Sequence, residues 1–221
     1  MTYFLRSVIR REFALRVQSP AAWLYAVVFF VMVLLLFPLA MGANGALLHQ
    51  IGVAAVWIAA LLAILLGMDG LFRADIDEGT LEQVIVARHS VALWALLKVT
   101  MHWLTGGFVL TLLSFLSIPL FGLSLAEAGL LALTLMLGTP ILTLFAAVAA
   151  ALTVTLRGGS VFVPLIALPL QLPVLIFATG VLDILQRGGD VLPILALLAA
   201  GLILSLLILP FVLAAALRLA L

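Results

Sequence analysis

Six long runs of apolar residues dominate the chain, and most charged side chains lie in the short segments between them. A helix rises about 1.5 Å per residue, so about 20 apolar residues cross the roughly 30 Å hydrocarbon core of a bilayer. The pattern predicts transmembrane helices at about 21–41, 51–68, 93–119, 128–156, 161–182 and 191–217. The expected fold is an all-α integral membrane protein with one transmembrane domain over residues 1–221.

Composition excludes a water-soluble protein. Of the 221 residues, 67% are hydrophobic and 9% are charged, with a mean hydropathy of +1.45, whereas soluble domains are about 45–50% apolar and about 25% charged. The net charge of +1 and the lack of a Lys/Arg-rich tract argue against nucleic-acid binding. The chain has no cysteine, which excludes disulfides, thiolate metal sites and covalent haem attachment.

The basic residues predict an orientation. Six spans place nine of the ten on one side, namely Arg6, Arg10, Arg11, Arg16, Arg73, Arg88, Lys98, Arg157 and Arg218. Only Arg187 falls on the other side. The positive-inside rule therefore predicts that both termini are cytoplasmic.

The first 19 residues predict a short cytoplasmic interfacial helix. Their arginines precede a long apolar run that has no clear cleavage site, which argues against a signal peptide. Glu12 and Arg16, at i,i+4, favour a helix but project near Leu5 and Ile9. Two interpretations stay open. The segment is a basic flank that sets topology, or it also contacts a cytoplasmic partner.

The segment from Asp69 to Gln83 is the most informative part of the sequence. It holds five of the nine acidic residues, which topology does not explain. Gly79 permits a left-handed turn, and Thr80 fits a helix N-cap, with Gln83 completing a capping box. The spacing predicts a helix, a sharp turn and a second short helix at the cytoplasmic face.

Three interpretations of this segment compete. A calcium loop beginning at Asp75 is disfavoured, because an EF-hand needs acidic or amide ligands where the chain has Gly79 and Val86. A solvated loop without a role is the second. We favour the third, a docking element that presents its acids and Leu81 to a groove on a cytoplasmic protein.

The sequence Glu78-Gly-Thr-Leu-Glu82 is similar to a signature that follows the second span in ABC exporter permeases. The wider set resembles the CcmB family of haem exporter permeases in cytochrome c maturation, through Leu71–Gln83, Lys98 with His102-Trp103, Thr105-Gly106, Leu133–Pro140, Ala151–Val154, Leu168-Pro169 and Ile176–Ala178. The resemblance covers essentially the whole chain. Related permeases often have a proline shortly after the loop, where this chain has Ala87-Arg88-His89.

This resemblance implies a permease subunit in a bacterial inner membrane that is not an enzyme by itself. It implies a CcmA-like ATPase subunit that supplies ATP hydrolysis, CcmC-like and CcmD-like membrane partners, a CcmE-like haem chaperone, a possible second copy of the chain, and haem as the handled species. The implied ATPase-coupling loop comprises Arg73, Asp75, Asp77, Glu78, Gly79, Thr80, Leu81, Glu82 and Gln83. The tight turn Arg157-Gly158-Gly159 is a possible second ATPase contact.

Polar and irregular residues inside the spans are further candidates, since ionisable side chains in a membrane are functional by default. Lys98 is either functional or extends to the interface. His102 is either a packed side chain or a haem or proton site, and His49 is either an axial haem ligand at the outer surface or a side chain without a specific role. The remaining hinge or polar candidates are Trp103, Gly138, Thr139, Pro140, Pro169, Gln171 and Pro173.

The chain has no phosphate-binding P-loop and no H-E-x-x-H or G-x-S-x-G motif. We therefore expect no catalytic residues, no metal site and no ATP hydrolysis by this chain alone. Two alternatives to the haem-related permease remain. One is the permease of another ABC exporter, for a lipid or a drug. The other is a membrane scaffold that transports nothing.

Overall fold

The computed structural model describes residues 2–18, 21–42, 44–68, 70–156 and 158–220, and within these ranges all regular secondary structure is helical. The helices are α1 (Thr2–Gln18), α2 (Ala21–Met41), α3 (Gly45–Gly67), α4 (Arg73–Asp77), α5 (Thr80–Val86), α6 (Val91–Thr105), α7 (Gly107–Leu113), α8 (Ser117–Phe121), α9 (Leu125–Thr153), α10 (Phe162–Gln186) and α11 (Leu192–Leu219). Short 3-10 turns occur at Ser114–Leu116 and Gly159–Val161.

Six of these segments are long and apolar enough to cross a bilayer: Trp23–Met41, Gly45–Gly67, Val91–Phe121, Leu125–Thr153, Phe162–Gln186 and Leu192–Leu219. The prediction of an all-α membrane protein with six spans is confirmed. The third span differs from the other five because α6, α7, a 3-10 turn and α8 follow one another along it.

Two span boundaries differ from the sequence prediction because polar side chains cap the helices. The second span, α3, begins at Gly45 rather than near residue 51, since the Asn44 side chain accepts a hydrogen bond from the Leu47 N–H. The fourth begins at Leu125 rather than near residue 128. Ser124 and Glu127 form a reciprocal capping box there.

Helix α9 is the centre of the bundle and packs against α3, α7, α10 and α11. Its inner face is rich in small side chains, including Ala146, Ala147 and Ala149, which are fully buried. Small residues let helices approach closely. In a membrane no hydrophobic effect drives helices together, so the van der Waals contacts of this close approach stabilise the bundle. Helices α2 and α11 lie at the periphery of the bundle, and most residues of these two spans are not buried.

The third span breaks at Gly106, whose backbone leaves the helical region between α6 and α7. Trp103 packs directly over Gly107, and a Cβ atom at Gly107 would collide with its indole ring. The prolines that were hinge candidates do not interrupt their helices. Helix α9 continues through Pro140, and α10 continues through Pro169 and Pro173.

The alternating spans give the bundle two ends. The loop end carries α1, residues 70–90 and the turn after α9. The far end carries the turns near residues 42–44, 122–124 and 187–191.

Glycine packing in α9 generates a stability prediction. A Cβ atom at Gly138 would collide with the Trp57 ring of α3, whereas one at Gly129 of the same helix meets nothing within 4 Å. Gly138→Ala should therefore lower the thermal unfolding midpoint in detergent, by the equivalent of about 1–3 kcal/mol for overpacking. Gly129→Ala should leave it unchanged or raise it, because alanine favours a helix by about 1 kcal/mol. Equal midpoints for the two variants would contradict this packing.

Candidate functional site

The candidate site is the loop between α3 and α6, which folds as two short helices. Gly79 separates α4 from α5 with φ +69°, the left-handed conformation that a residue without a Cβ adopts most easily. The predicted helix, sharp turn and second helix are therefore present. Asp69, the first residue of the predicted segment, lies outside the described residues.

The predicted N-cap is wrong by one residue. Gly79 occupies the N-cap position of α5, and no side chain caps that helix. The Thr80 hydroxyl instead accepts a hydrogen bond from Arg11 Nη2 at 3.3 Å. The loop thus contacts α1 at the position where the sequence suggested a purely local contact.

We call α4 and α5 with the turn between them the helical hairpin, and one side of it is buried in the protein. Phe72 and Leu81 are fully buried, and the Phe72 ring lies 6.3 Å from that of Trp94 on α6. The expectation that Leu81 faces a partner is wrong, because its side chain packs into the core instead. Leu81 holds the loop in place from the inside.

Asp75 is also buried, contrary to the expectation that the acids of the loop face outward. Its Oδ2 lies 2.7 Å from Lys98 Nζ, and the same ammonium group donates hydrogen bonds to Glu12 Oε1 and Oε2 at 3.1 and 3.3 Å. The exposed fractions are 2% for Asp75, 2% for Glu12 and 6% for Lys98. Lys98 therefore does not extend to the interface but joins α1, α4 and α6 inside the protein.

Arg11 supplies the second positive charge of this group. Its Nη1 donates to Asp75 Oδ1 at 3.0 Å, and its Nη2 donates to Glu78 Oε2 at 3.3 Å. Burial lowers the pKa of Arg11, but the hydrogen bond and charge of Asp75 outweigh burial and raise this pKa above its ordinary value. Arg11 is thus a permanent cation between α1 and the loop.

We call Arg11, Glu12, Asp75 and Lys98 the ion cluster. It contains two cations and two anions, so its formal charge is balanced. Charges removed from water are tolerated when each has a partner, and removing one partner leaves the others uncompensated. The ion cluster therefore fixes the position of the loop relative to α1 and to the third span.

Sequence reasoning missed the ion cluster because its members are far apart in the chain. Lys98 and Glu12 are 86 residues apart. Two signals were present: a carboxylate on the otherwise apolar side of α1, and a lysine within a span. Each alone was ambiguous, and together they are complementary charges on the same side of the membrane.

The other side of the hairpin is exposed. It carries Arg73, Asp77, Glu78, Glu82, Gln83 and Val86. Val86 is 82% exposed although it is apolar, and it follows Glu82 by one helical turn. We call the face of α5 formed by Glu82, Gln83 and Val86 the exposed α5 face.

A groove of about 370 Å³ lies beside the hairpin, between α4 and the end of α9. Its lining includes Ile76, Asp77 and Thr155, and Arg73 Nη2 donates a hydrogen bond across it to the Leu156 carbonyl at 3.3 Å. The residues of the possible second ATPase contact come directly after the groove in the chain. Gly158 has φ +74°, and a Cβ at Gly159 would collide with the Thr153 carbonyl oxygen. Arg157 lies outside the described residues.

The candidates inside the spans form contacts between helices. Trp103 Nε1 donates to Thr139 Oγ1 at 3.0 Å, which joins α6 to α9. Gln171 is fully buried between Pro169 and Pro173, and its Nε2 donates to the Leu142 carbonyl at 2.9 Å. The matched segments of the third, fourth and fifth spans are therefore neighbours in space.

His102 is buried and packs beside Gly67 of α3. The small cavity it lines, with Ala26 and Thr143 among its other walls, measures about 10 Å³, which is room for about one water and far too little for a haem. The arrangement is that of a packed side chain.

His49 belongs to a polar group at the far end. Its Nε2 lies 3.3 Å from Glu127 Oε2, and the other carboxylate oxygen of Glu127 accepts a hydrogen bond from Gln186 Nε2 at 3.2 Å. This carboxylate, which also caps α9 with Ser124, was not singled out from the sequence. Within the part of the chain that the structure describes, no group of three or more His, Cys, Asp or Glu side chains is placed to hold a metal ion.

Comparisons with known proteins match one family over nearly the whole chain. The family model described as "CcmB protein" matches residues 3–220. Heme exporter protein B of Pseudomonas aeruginosa is 42% identical over 215 residues, covering 96% of this chain and 95% of the relative. The proteins of the same name from Haemophilus influenzae and Bradyrhizobium diazoefficiens are 40% and 37% identical over 218 residues, covering 97% of this chain and 97% of each relative.

The ion cluster generates a prediction. Lys98→Met removes the ammonium group that the buried carboxylates of Glu12 and Asp75 share, so it should destabilise the protein by about 3–5 kcal/mol. Arg187→Met is the matched control, because Arg187 forms an exposed i,i+4 ion pair with Asp183, and such pairs contribute about 0.3–0.5 kcal/mol. Thermal unfolding in detergent measures both variants.

Adding Glu12→Gln to Lys98→Met should recover part of the loss, because it removes the charge of one of the two buried carboxylates that lost the ammonium group. A Lys98→Met variant as stable as Arg187→Met would show that the ion cluster does not hold the loop.

Proposed function

The chain belongs to the CcmB protein family, and from that premise we propose that it is the permease subunit of an ABC-type complex in cytochrome c maturation. A separate, CcmA-like ATPase subunit hydrolyses ATP, so this chain is not an enzyme by itself. The permease couples that hydrolysis to haem export or to release of a haem-loaded, CcmE-like chaperone at the outer face. The complex includes CcmC-like and CcmD-like membrane partners. It can accommodate a second copy of the chain.

The charge distribution supports an orientation in which the loop end faces the cytoplasm. At the loop end lie Arg6, Arg10, Arg11, Arg73, Arg88, Lys98 and Arg218, whereas Arg187 lies at the far end. Cytoplasmic segments of membrane proteins carry the excess of Lys and Arg. The protein is a multi-pass protein of the bacterial inner membrane with both termini in the cytoplasm.

The observation that carries the proposal is that the helical hairpin is held rigidly from inside and exposed outside. The ion cluster and Leu81 fix its inner side, while the side chains of the exposed α5 face are open on the outside. A rigid element transmits a displacement of a docked protein to the spans behind it, whereas a flexible loop would change conformation without moving them. The exposed α5 face is therefore the ATPase-docking surface, and the groove between α4 and α9, with Gly158 and Gly159 beside it, is the second contact.

The docked ATPase acts on the third span through this hairpin. Asp75 of α4 and Lys98 of α6 are in direct contact, so a displacement of the hairpin reaches α6 without an intermediate. The break at Gly106 then separates the coupled part of this span from α7 and α8. Trp103 and Thr139 carry the displacement to the central helix α9.

Haem enters the proposal as the handled species and not as a resident cofactor. Among the described residues, His49 contacts Glu127 and His102 packs beside Gly67, so neither presents an open ligand pair. A recess of about 300 Å³ between α6, α9 and α11 is lined by Thr100 and otherwise by apolar side chains such as Leu137 and Leu206. It offers few polar groups to a drug, which disfavours a drug exporter; the lipid exporter stays as the alternative.

The docking surface is tested by Glu82→Lys. Reversing an exposed charge at the centre of a contact should lower association with the ATPase several-fold. Asp183→Lys is the matched control, since Asp183 is an exposed acid at the far end. Co-purification with the CcmA-like subunit, at equal amounts of inserted permease, measures the difference.

A Glu82→Lys variant that binds the ATPase as well as wild type would contradict docking at the exposed α5 face. A wild-type protein that never binds an ATPase would contradict the permease assignment.

The scaffold alternative is tested in α10. Pro169→Ala with Pro173→Ala restores two backbone donors and stiffens this helix, so release of haem-loaded chaperone per ATP hydrolysed should fall several-fold while ATPase association stays intact. Pro193→Ala is the matched control, because Pro193 lies in the first turn of α11, where a proline removes no internal hydrogen bond. Unchanged release in the α10 double variant would favour a scaffold.

A further inference from the structure

Helix α1 has a second surface that the ion cluster leaves unused. Val8 and Glu12 face the protein, with α1 lying along α6. The opposite surface exposes Arg6, Arg10, Ile9 and Phe13, the last two with exposed fractions of 40% and 57%. We call these four residues the α1 stripe.

The order of side chains around the helix is not random. At about 100° per residue, Ile9 and Phe13 form one edge of the stripe, and Arg6 and Arg10 lie beside them. Arg11, which binds the loop, follows on the far side of the arginines. Around the helix, an apolar edge thus gives way to a cationic band and then to the contact with the coupling loop.

Neither Arg6 nor Arg10 forms an ion pair with any residue that the structure describes, in contrast to Arg11. Two adjacent cations that have no counter-charge among the described residues, next to exposed apolar side chains, are complementary to an anionic surface that is apolar underneath. A helix with arginine on one band and large apolar side chains on the next lies in the headgroup region of a bilayer.

The connection to α2 places α1 at that depth. Helix α1 ends at Gln18, and the membrane-spanning helix α2 begins at Ala21. Three residue steps cover at most about 11 Å, so the end of α1 lies close to the start of the first span. Helix α1 therefore starts out from the membrane end of the first span, which brings the bilayer surface within reach of the α1 stripe.

We propose that the α1 stripe is a binding site for anionic phospholipids. Arg6 and Arg10 bind the headgroup phosphates, and Ile9 and Phe13 insert at the acyl boundary. Since Arg11 and Glu12 of the same helix belong to the ion cluster, this site connects the charge of the inner leaflet to the position of the coupling loop.

The site is tested by native mass spectrometry of the full chain in a neutral detergent, titrated with phosphatidylglycerol or phosphatidylcholine. Wild type should bind phosphatidylglycerol more tightly. An arginine near an anionic surface contributes about 1 kcal/mol, roughly fivefold in affinity, so Arg6→Gln with Arg10→Gln should weaken phosphatidylglycerol binding about 25-fold. Arg187→Gln, an exposed arginine at the far end, should leave it unchanged, and Arg6→Lys with Arg10→Lys should retain most of it.

Equal affinities for the two lipids in wild type would overturn the proposal, as would full phosphatidylglycerol binding by the double Gln variant. A double Gln variant that binds phosphatidylglycerol normally but loses the CcmA-like ATPase would show that a protein covers the stripe. The titration contains neither ATPase nor haem, so its failure leaves the proposed permease function untouched.

Discussion

A buried charge in a membrane protein has to be paired, and this constraint shapes the loop end of the molecule. Lys98 lies within the third span, where an unpaired ammonium group is unfavourable by several kcal/mol. Its partners come from two other parts of the chain, Glu12 of α1 and Asp75 of α4. Because Arg11 then balances the second carboxylate, three segments that are distant in sequence occupy one fixed arrangement.

That arrangement explains how an exposed helix of two turns can act on a span. Helix α5 is too short to be stable alone, and its position depends on Leu81 in the core and on the contact of Arg11 with Thr80. Behind it, α6 contacts α9 through Trp103, and α9 contacts α10 through Gln171. The polar contacts thus form a path from the proposed docking surface to the central helix of the bundle.

The sequence predicts features that depend on local physics. The six spans follow from length and hydropathy, and the turn at Gly79 follows from the conformations open to glycine. The burial of Asp75 and Leu81 on the inner side of the loop was not predictable, because it depends on α1 and α6, which are distant from the loop in sequence. Because Lys98 is buried, its charge needs carboxylates beside it that are buried as well, but no sequence spacing records an ion pair formed across 86 residues.

The central claim is that α1, the coupling loop and α6 move as one body, and electron paramagnetic resonance distances test it most directly. The chain has no cysteine, so Ser7→Cys on α1 and Gln83→Cys on α5 give a single pair of spin labels, measured in liposomes with the CcmA-like ATPase. The account predicts one narrow distance that is the same with and without ATP, and that broadens when Lys98→Met is added. A distance that changes with ATP in the otherwise unaltered protein, or that stays narrow in the Lys98→Met variant, would contradict it.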